Sequence, residues 1–407
     1  MSYYLPAFII PISLFIIFIE YWISKKMGKK NYNLDSTVSN LSIGVLERVL
    51  DVFLQGIFFY IFTYVYQHYA LFHISDKWYM WIMLLLLTDF VWYWYHRLGH
   101  EINLLWAFHI VHHQSNDYNL SVAARVTNFQ SIIRNVFWCI LPLIGFRPEM
   151  VSIVLVIHAG YSFFTHTEFD LKIDWLENIL ITPALHGVHH ASNPEYLDKN
   201  YGDMFVFWDK LFGTFKKPIT QPVYGLTTPL ESHSFLWQHF HYLIEIIYRL
   251  RLTKDIPQIL KILFGKPNVM NGNERTETEK IFLSRNRDLQ AKSNLYKYYI
   301  GVQLFAILII SFGFIFLHAQ LSSVQKTHSI SVIFLTLVNC GALLEQKRWI
   351  LTIEYLRLLL FVFIIGVYIE YNVFCIILYI LSAVLLLGKS YIQERYYRLL
   401  FNLNVKQ

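Results

Sequence analysis

Nine stretches of this chain read as candidate membrane-crossing helices: 5–23, 41–66, 78–95, 131–146, 149–165, 298–318, 329–345, 349–369 and 372–388. A helix needs about 20 mostly apolar residues to traverse the hydrocarbon of a bilayer, where every backbone N–H and C=O must be satisfied inside the structure, so helices are the economical solution. The expected fold is all-α and multi-pass transmembrane. Composition agrees, with 55% of the 407 residues hydrophobic and 15% charged, against about 25% charged in soluble domains. The same figures exclude disorder, a collagenous repeat and a disulfide scaffold. Cys139, Cys340 and Cys375 all lie in apolar runs and are expected to behave as small hydrophobes.

Charge sets the orientation. The first stretch has no basic residue ahead of it and no small-residue cleavage site after it, so it is expected to be retained as a span. Lys25, Lys26, Lys29 and Lys30 follow it, and the positive-inside rule puts that loop in the cytoplasm and the amino terminus outside. Threading the remaining spans places the ends of the third and fifth, the polar stretch 166–297, the loop Glu345-Gln346-Lys347-Arg348 and the basic tail on the cytoplasmic side. The net charge of +6 is scattered between apolar spans rather than massed on one face, so topology explains it better than nucleic acid does. The stretches 131–146 and 149–165 are short and joined by Arg147-Pro148, which fits either two crossings or a re-entrant hairpin. The polar segment 254–297 is expected to be a linker between a catalytic membrane unit, 1–253, and a carboxy-terminal helical region, 298–407.

Of 17 histidines, ten lie between positions 96 and 190. His96 and His100 close the third stretch four residues apart, and so share a helical face. His109 shares a face with His112 and His113, and His186-Gly187-Val188-His189-His190 repeats that spacing. All three groups fall at the cytoplasmic end of the topology. Neutral imidazole suits first-row transition metals, and eight such ligands are too many for one tetrahedral or octahedral ion, so two ions fit the count. His166, emerging from the fifth stretch on the same side, is a candidate ninth ligand. His158 lies inside that stretch, where a functional role competes with a buried histidine bonded to backbone. His68, His73, His318 and His328 sit near span ends, and His233, His239 and His241 flank an amphipathic stretch expected to lie on the membrane surface.

The ordered motifs His96–His100, His109–His113 and His186–His190 resemble those of the fatty acid hydroxylase superfamily of integral-membrane oxygenases. Within it, the alkylglycerol monooxygenase subfamily is most similar. That likeness rests on His96-Arg97 through Asn103, on His112-His113-Gln114 through Ser121, and on Asp198-Lys199-Asn200-Tyr201-Gly202 leading to Trp208 through Phe215. The resemblance implies that His96, His100, His109, His112, His113, His186, His189 and His190 bind iron. It implies that Glu101 matches an acidic position, with a role in orienting an imidazole or a metal-bound water. Asn193, Asp203 and Asp209 also fall in matching stretches without an assigned role. Tetrahydrobiopterin is the reductant that the subfamily implies. No flavin, nicotinamide or haem fingerprint occurs, so electrons are expected from an external donor, with O2 and a bilayer lipid as the other partners.

The expected function is diiron hydroxylation of the carbon beside the ether oxygen of an alkylglycerol lipid, with cleavage to a fatty aldehyde and a glycerol derivative. The same chemistry on a fatty acyl, sterol-like or aminolipid substrate is the alternative. A metal transporter is a third reading, which the clustering of histidines at one face rather than at mid-membrane disfavours.

Overall fold

The computed structural model describes residues 5–169, 173, 175–270, 272–283, 292–347, 349–368 and 372–401. The chain opens with α1 (Leu5–Lys26), α2 (Leu34–Tyr69), α3 (Trp78–Glu101) and the short α4 (Asn103–His109). Next come α5 (Asn128–Trp138), α6 (Ile140–Ile144), α7 (Pro148–Thr165), α8 (Pro183–His189) and α9 (Phe207–Leu211). After these lie α10 (Phe235–Arg251), α11 (Ile256–Phe264) and α12 (Asn273–Phe282), and the chain ends in α13 (Asn294–Leu317), α14 (Ser323–Leu344), α15 (Ile350–Tyr368), α16 (Asn372–Leu387) and α17 (Lys389–Phe401). Among the described residues the extended pairings are two isolated bridges, Leu180 with Phe205 and Ala191 with Tyr224. The protein is all-helical, as expected.

Among the described residues five helices, α1, α2, α7, α13 and α14, are long and apolar enough to cross a membrane. Their outward faces stay apolar: Phe15 and Phe18 on α1 are 64% and 61% exposed, which suits hydrocarbon and would be a liability in water. Inward faces pack into buried clusters, among them the following two. Ala7, Val45, Val49, Ile307, Phe314 and Ile333 join α1, α2, α13 and α14. Phe58, Leu84, Trp138, Leu141, Met150 and Val154 join α2, α3, α5, α6 and α7. Although α3 has 24 residues, it is not one of the five, because Asp89 and a run of Trp and Tyr dilute its second half. The expected spans 349–369 and 372–388 coincide with α15 and α16, position 369 lying outside the described residues.

The single helix expected over 131–146 is replaced by two pieces of 11 and 5 residues. The break falls at Cys139, three residues before Pro142, and the second piece ends at Gly145 with φ +123°. At that turn the Leu143, Ile144 and Gly145 carbonyls accept from the backbone of Leu71, Phe72 and Ile74, and Arg147 approaches Asp76 at 3.7 Å. The 70–77 loop precedes α3, so the turn lies at the opposite end of α3 from His96 and His100. The broken pair α5–α6 thus runs the depth of α3, and α7 returns along it.

Within 254–297, α11 and α12 pack against α10, and Arg275 of α12 pairs with Glu245 of α10 at 3.0 Å. Nor does α10 lie free on a surface: it buries Gln238, His241 and Glu245 in the protein. A Cβ added at Gly145 would meet the Phe72 carbonyl oxygen at 1.9 Å, in a backbone conformation that L side chains rarely adopt. Gly145→Ala is therefore expected to destabilise the protein by about 2 kcal/mol or more. Equilibrium unfolding in mild detergent checks this.

Candidate metal centre

The last turn of α3 points His96 and His100 inward, and the chain then reverses. Ile102 is extended (φ −112°, ψ 118°), with its N–H on the Leu98 carbonyl, and α4 folds back to bring His109 onto α3. The 3₁₀ turn His112–Gln114 follows directly. Opposite, α8 starts cleanly because Thr182 caps the Leu185 N–H and Pro183 occupies the first turn. His166 sits just past the end of α7. These four approaches gather all nine nominated histidines into two adjoining groups.

The first group holds His96, His100, His109, His113 and His189; the second holds His112, His166, His186 and His190. Within each group one ring nitrogen from every member lies within 4.8 Å of those of the others. His96 Nε2 and His113 Nε2 both lie 3.1 Å from His109 Nε2, and His112 Nε2 and His186 Nε2 both lie 3.1 Å from His166 Nε2. The groups touch through stacked His113 and His190 rings, 4.4 Å apart.

Hydrogen bonding on the far side of each ring decides what these nitrogens are. A carbonyl only accepts, so an Nδ1 facing one carries the proton and leaves Nε2 a bare lone pair. His96 Nδ1 donates to the Tyr201 carbonyl at 2.8 Å and His189 Nδ1 to Lys199 at 2.9 Å. His166 Nδ1 donates to Ser162 at 2.8 Å and His112 Nδ1 to Arg125 at 3.2 Å. His112 and His166 thereby confront each other lone pair to lone pair, which no hydrogen bond resolves. His100, His189 and His190 each leave a buried Nε2 without a partner, and His186 its Nδ1. Burial first, then the neighbouring imidazoles, hold His109, His113, His186 and His190 well below the ordinary histidine range, so the rings are neutral rather than cationic. Imidazole nitrogens about 2.0–2.1 Å from one ion at near right angles stand about 3 Å apart. The observed spacing fits a first-row metal in each group.

Three of the supports were invisible or unassigned in the sequence. Asp209 accepts from the Tyr201 and Gly202 N–H groups, each at 2.8 Å, and from Thr214 at 2.6 Å. It thus sets the segment whose carbonyls hold His189 and His96. Gly202 is required there, since a Cβ would meet Asp209 Oδ2 at 2.8 Å and the Phe205 carbonyl oxygen at 2.7 Å. Arg125, buried, donates to the Val111 carbonyl, Asn40, Gln114 and Gln238, while its own carbonyl holds His112. His158, the candidate inside α7, bonds no backbone carbonyl; it bridges two carboxylates, Asp89 at 3.0 Å and Asp203 at 2.7 Å, all three buried. Asp89 also accepts from the Met204 and Phe205 N–H groups and from Trp208, tying α3 and α7 to the same 201–209 loop.

Glu101 does not fall in either group. Its carboxylate pairs with Arg97 at 3.1 Å and approaches Lys266 at 4.0 Å. From Arg97 the bonds run onward to the Tyr93 hydroxyl, then to Thr214 and to Asp209. Asn193 bonds the backbone of Gln221 and Val223.

A family model for fatty acid hydroxylase matches residues 81–214, the segment that carries all nine histidines. Over 346 residues, 84% of this chain and 77% of the relative, the sequence is 34% identical to alkylglycerol monooxygenase of Homo sapiens. It is 29% identical to alkylglycerol monooxygenase of Xenopus tropicalis over 86% of this chain and 79% of that protein. Ornithine lipid hydroxylase of Rhizobium tropici is 31% identical over 33% of this chain and 41% of its own length. No solved structure matches the chain.

Asp209 touches no histidine, yet Asp209→Ala removes the acceptor that shapes the Tyr201 carbonyl. It is expected to weaken metal binding by about 10–100-fold, measured as metal retained by purified protein against a graded chelator.

Proposed function

The chain belongs to the fatty acid hydroxylase family and is an O2-dependent membrane lipid monooxygenase, and from that premise we propose that it oxidises the ether-adjacent carbon of an alkylglycerol lipid at a pair of iron ions. The observation that carries the diiron reading is the division of nine histidines, eight of them buried and His100 partly so, into groups of five and four with facing lone pairs; likeness to alkylglycerol monooxygenases over most of the chain supports the substrate. His96, His100, His109, His113 and His189 would hold one ion, and His112, His166, His186 and His190 the other. Iron bound there supplies activation of O2 for insertion into a C–H bond.

Hydroxylation beside the ether oxygen draws two electrons and two protons from an external donor and sends the second oxygen atom to water. The resulting hemiacetal collapses to a fatty aldehyde and a glycerol derivative. Tetrahydrobiopterin is the proposed donor. The chain's own contribution is orientation: the carbonyls of Lys199, Tyr201, Arg125 and Ser162 fix four rings as Nε2 ligands. Glu101 is a positioning residue, acting on His96 through Arg97, Tyr93, Thr214 and Asp209.

The metal centre is proposed to face the cytoplasm. Lys29 and Lys30, which follow the end of α1, border a cleft shared with Thr167 and Glu168 next to His166, so the basic loop and the histidines occupy one end of the bundle. Residues 1–253 form the proposed catalytic unit, 254–297 the connecting segment and 298–407 the carboxy-terminal helical region. A second reading, hydroxylation of an aminolipid without cleavage, is favoured by the likeness to ornithine lipid hydroxylase within the histidine-bearing segment.

Detergent-purified protein is expected to carry two irons per chain and to release fatty aldehyde from 1-O-alkylglycerol when supplied with tetrahydrobiopterin. Iron without aldehyde would transfer the proposal to the second reading. His113→Ala and His190→Ala, one from each group, are each expected to lose iron and at least about 100-fold in turnover while still inserting in the membrane. Full activity in either would refute the ligand set.

A further inference from the structure

Helix α10 has its polarity reversed. The side turned into the protein buries Gln238, His241 and Glu245, while Leu236, Phe240, Leu243 and Ile247 share the opposite face, on which Leu236 and Ile247 are each 42% exposed. A helix bordered by water buries its apolar side and exposes its polar one, so this arrangement suits hydrocarbon on the outside. The outward face also continues a neighbouring one. The Phe240 ring lies 5.9 Å from that of Phe129, and Phe129 heads the exposed row Ile132, Val136 and Ile140 along α5 and α6.

Helix α11, nine residues long, is apolar over more of its circumference than its packing uses. Ile262 is its one buried residue, set among Tyr242 and Ile246 of α10 and Ala107 and Ile110 of the α4 segment. Ile256, Leu260 and Phe264 form a second stripe at i, i+4 and i+8, and they are 69%, 51% and 58% exposed. Gln258 lies on the far side of the helix from that stripe. The charges around it are nearly of one sign. Between positions 250 and 266 stand Arg251, Lys254, Lys261 and Lys266, all exposed, against the single carboxylate of Asp255, which caps the Gln258 N–H. An apolar stripe edged by lysines is the pattern of a helix lying in the headgroup layer of an anionic leaflet, where the aliphatic stems sink with the apolar side chains and the ammonium groups stay among the phosphates.

The neighbours of both helices fix their level. Phe235, at the start of α10, packs with Val45 and Val49 of α2 and Ile333 of α14, inside the core of the spanning helices. Asn103, the first residue of α4, clamps the end of α11: its side chain donates to the Ile262 carbonyl at 2.7 Å and its N–H to the Gly265 carbonyl at 2.8 Å, while the Tyr242 hydroxyl donates to Asn103 Oδ1 at 2.6 Å. We propose that the outward faces of α10 and α11 form one interfacial platform, immersed in the leaflet nearest the metal centre, with Lys254 and Lys261 holding anionic lipid headgroups. The platform lies outside the 81–214 family match, and it serves whichever lipid is oxidised. Through Asn103 it joins the helix that carries His109, and so sets the height of the metal centre against the bilayer surface.

Spin labels on the full chain in lipid nanodiscs test the platform independently of turnover. In a background of Cys139→Ala, Cys340→Ala and Cys375→Ala, a nitroxide at Leu260→Cys or Phe264→Cys is expected about 5–10 Å inside the headgroup boundary. It should collide with O2 in preference to a water-soluble nickel chelate, as a reference label at Val136→Cys on the outward row of α5 does, whereas a label at Gln258→Cys shows the reverse preference. In phosphatidylcholine discs that contain phosphatidylserine, Lys254→Glu with Lys261→Glu is expected to move the label at 260 toward water, and in discs of phosphatidylcholine alone to leave it in place. Chelate access at 260 and 264 equal to that at 258 would overturn the proposal. So would exclusion of both reagents from 260 and 264, which would mean that protein, a second copy or another chain, covers the stripe. A label at 260 that keeps its depth beside phosphatidylserine in the double-glutamate variant would overturn the assignment to anionic lipid.

Discussion

Nine neutral imidazoles held in a water-poor interior, several with lone pairs aimed at each other, are the constraint on which the rest of this structure depends. A buried polar atom without a partner costs about 1–3 kcal/mol, and protonation offers no escape, because burial and the neighbouring rings oppose a positive charge there. The arrangement makes energetic sense as a shell for cations. It also dictates local geometry. Helix α3 has to stop at Glu101 so that α4 can return His109 to His96, and α8 has to be short enough to aim His186, His189 and His190 at both groups.

Outside the imidazoles lies a frame of buried charge and backbone. Asp209 shapes the 201–202 turn, and the carbonyls on either side of Asn200 hold one histidine each. Beside Trp92, His158 joins Asp89 and Asp203 and links α3, α7 and the loop in one cluster. Removing one member of such a cluster leaves an uncompensated charge in low dielectric, so the cluster acts as a single locking element. Arg125 does the same for the second group, and its neighbour Gln114 reaches His241, which bonds Glu245, the partner of Arg275. Helices α10 and α12 thereby bear on the position of the metal centre without contributing a ligand.

A membrane lipid monooxygenase has to place its chemistry at the boundary between two solvents. The bundle achieves this by length. Its apolar helices present exposed phenylalanine and isoleucine to the hydrocarbon, while α3 and α7 deliver histidines at the end where the lysines following α1 also lie. The broken α5–α6 pair runs alongside α3, with Phe137 of α5 5.5 Å from Tyr95, and its Gly145 turn lies at the end away from the histidines.

Much of this was legible in the sequence because its signals are local. Apolar length marked the helices, 3.6-residue periodicity put each of the three histidine motifs on one face, and His166 was named from its place at the end of the fifth stretch. The partition among ions was not legible. His112 parts from His109 and His113, and His190 parts from His189, because successive side chains diverge by about 100° around a helix and the ion each one meets depends on what packs opposite. The carbonyls of Lys199, Tyr201, Arg125 and Ser162 were equally hidden, since every residue carries a carbonyl and only the fold decides where it points. The break near Cys139 and Gly145 likewise depends on contacts with the 70–77 loop, dozens of residues away in the chain. By itself the sequence determined which side chains meet and at which end of the membrane helices; tertiary structure decided their partners, because orientation and long-range contact are properties of packing rather than of spacing.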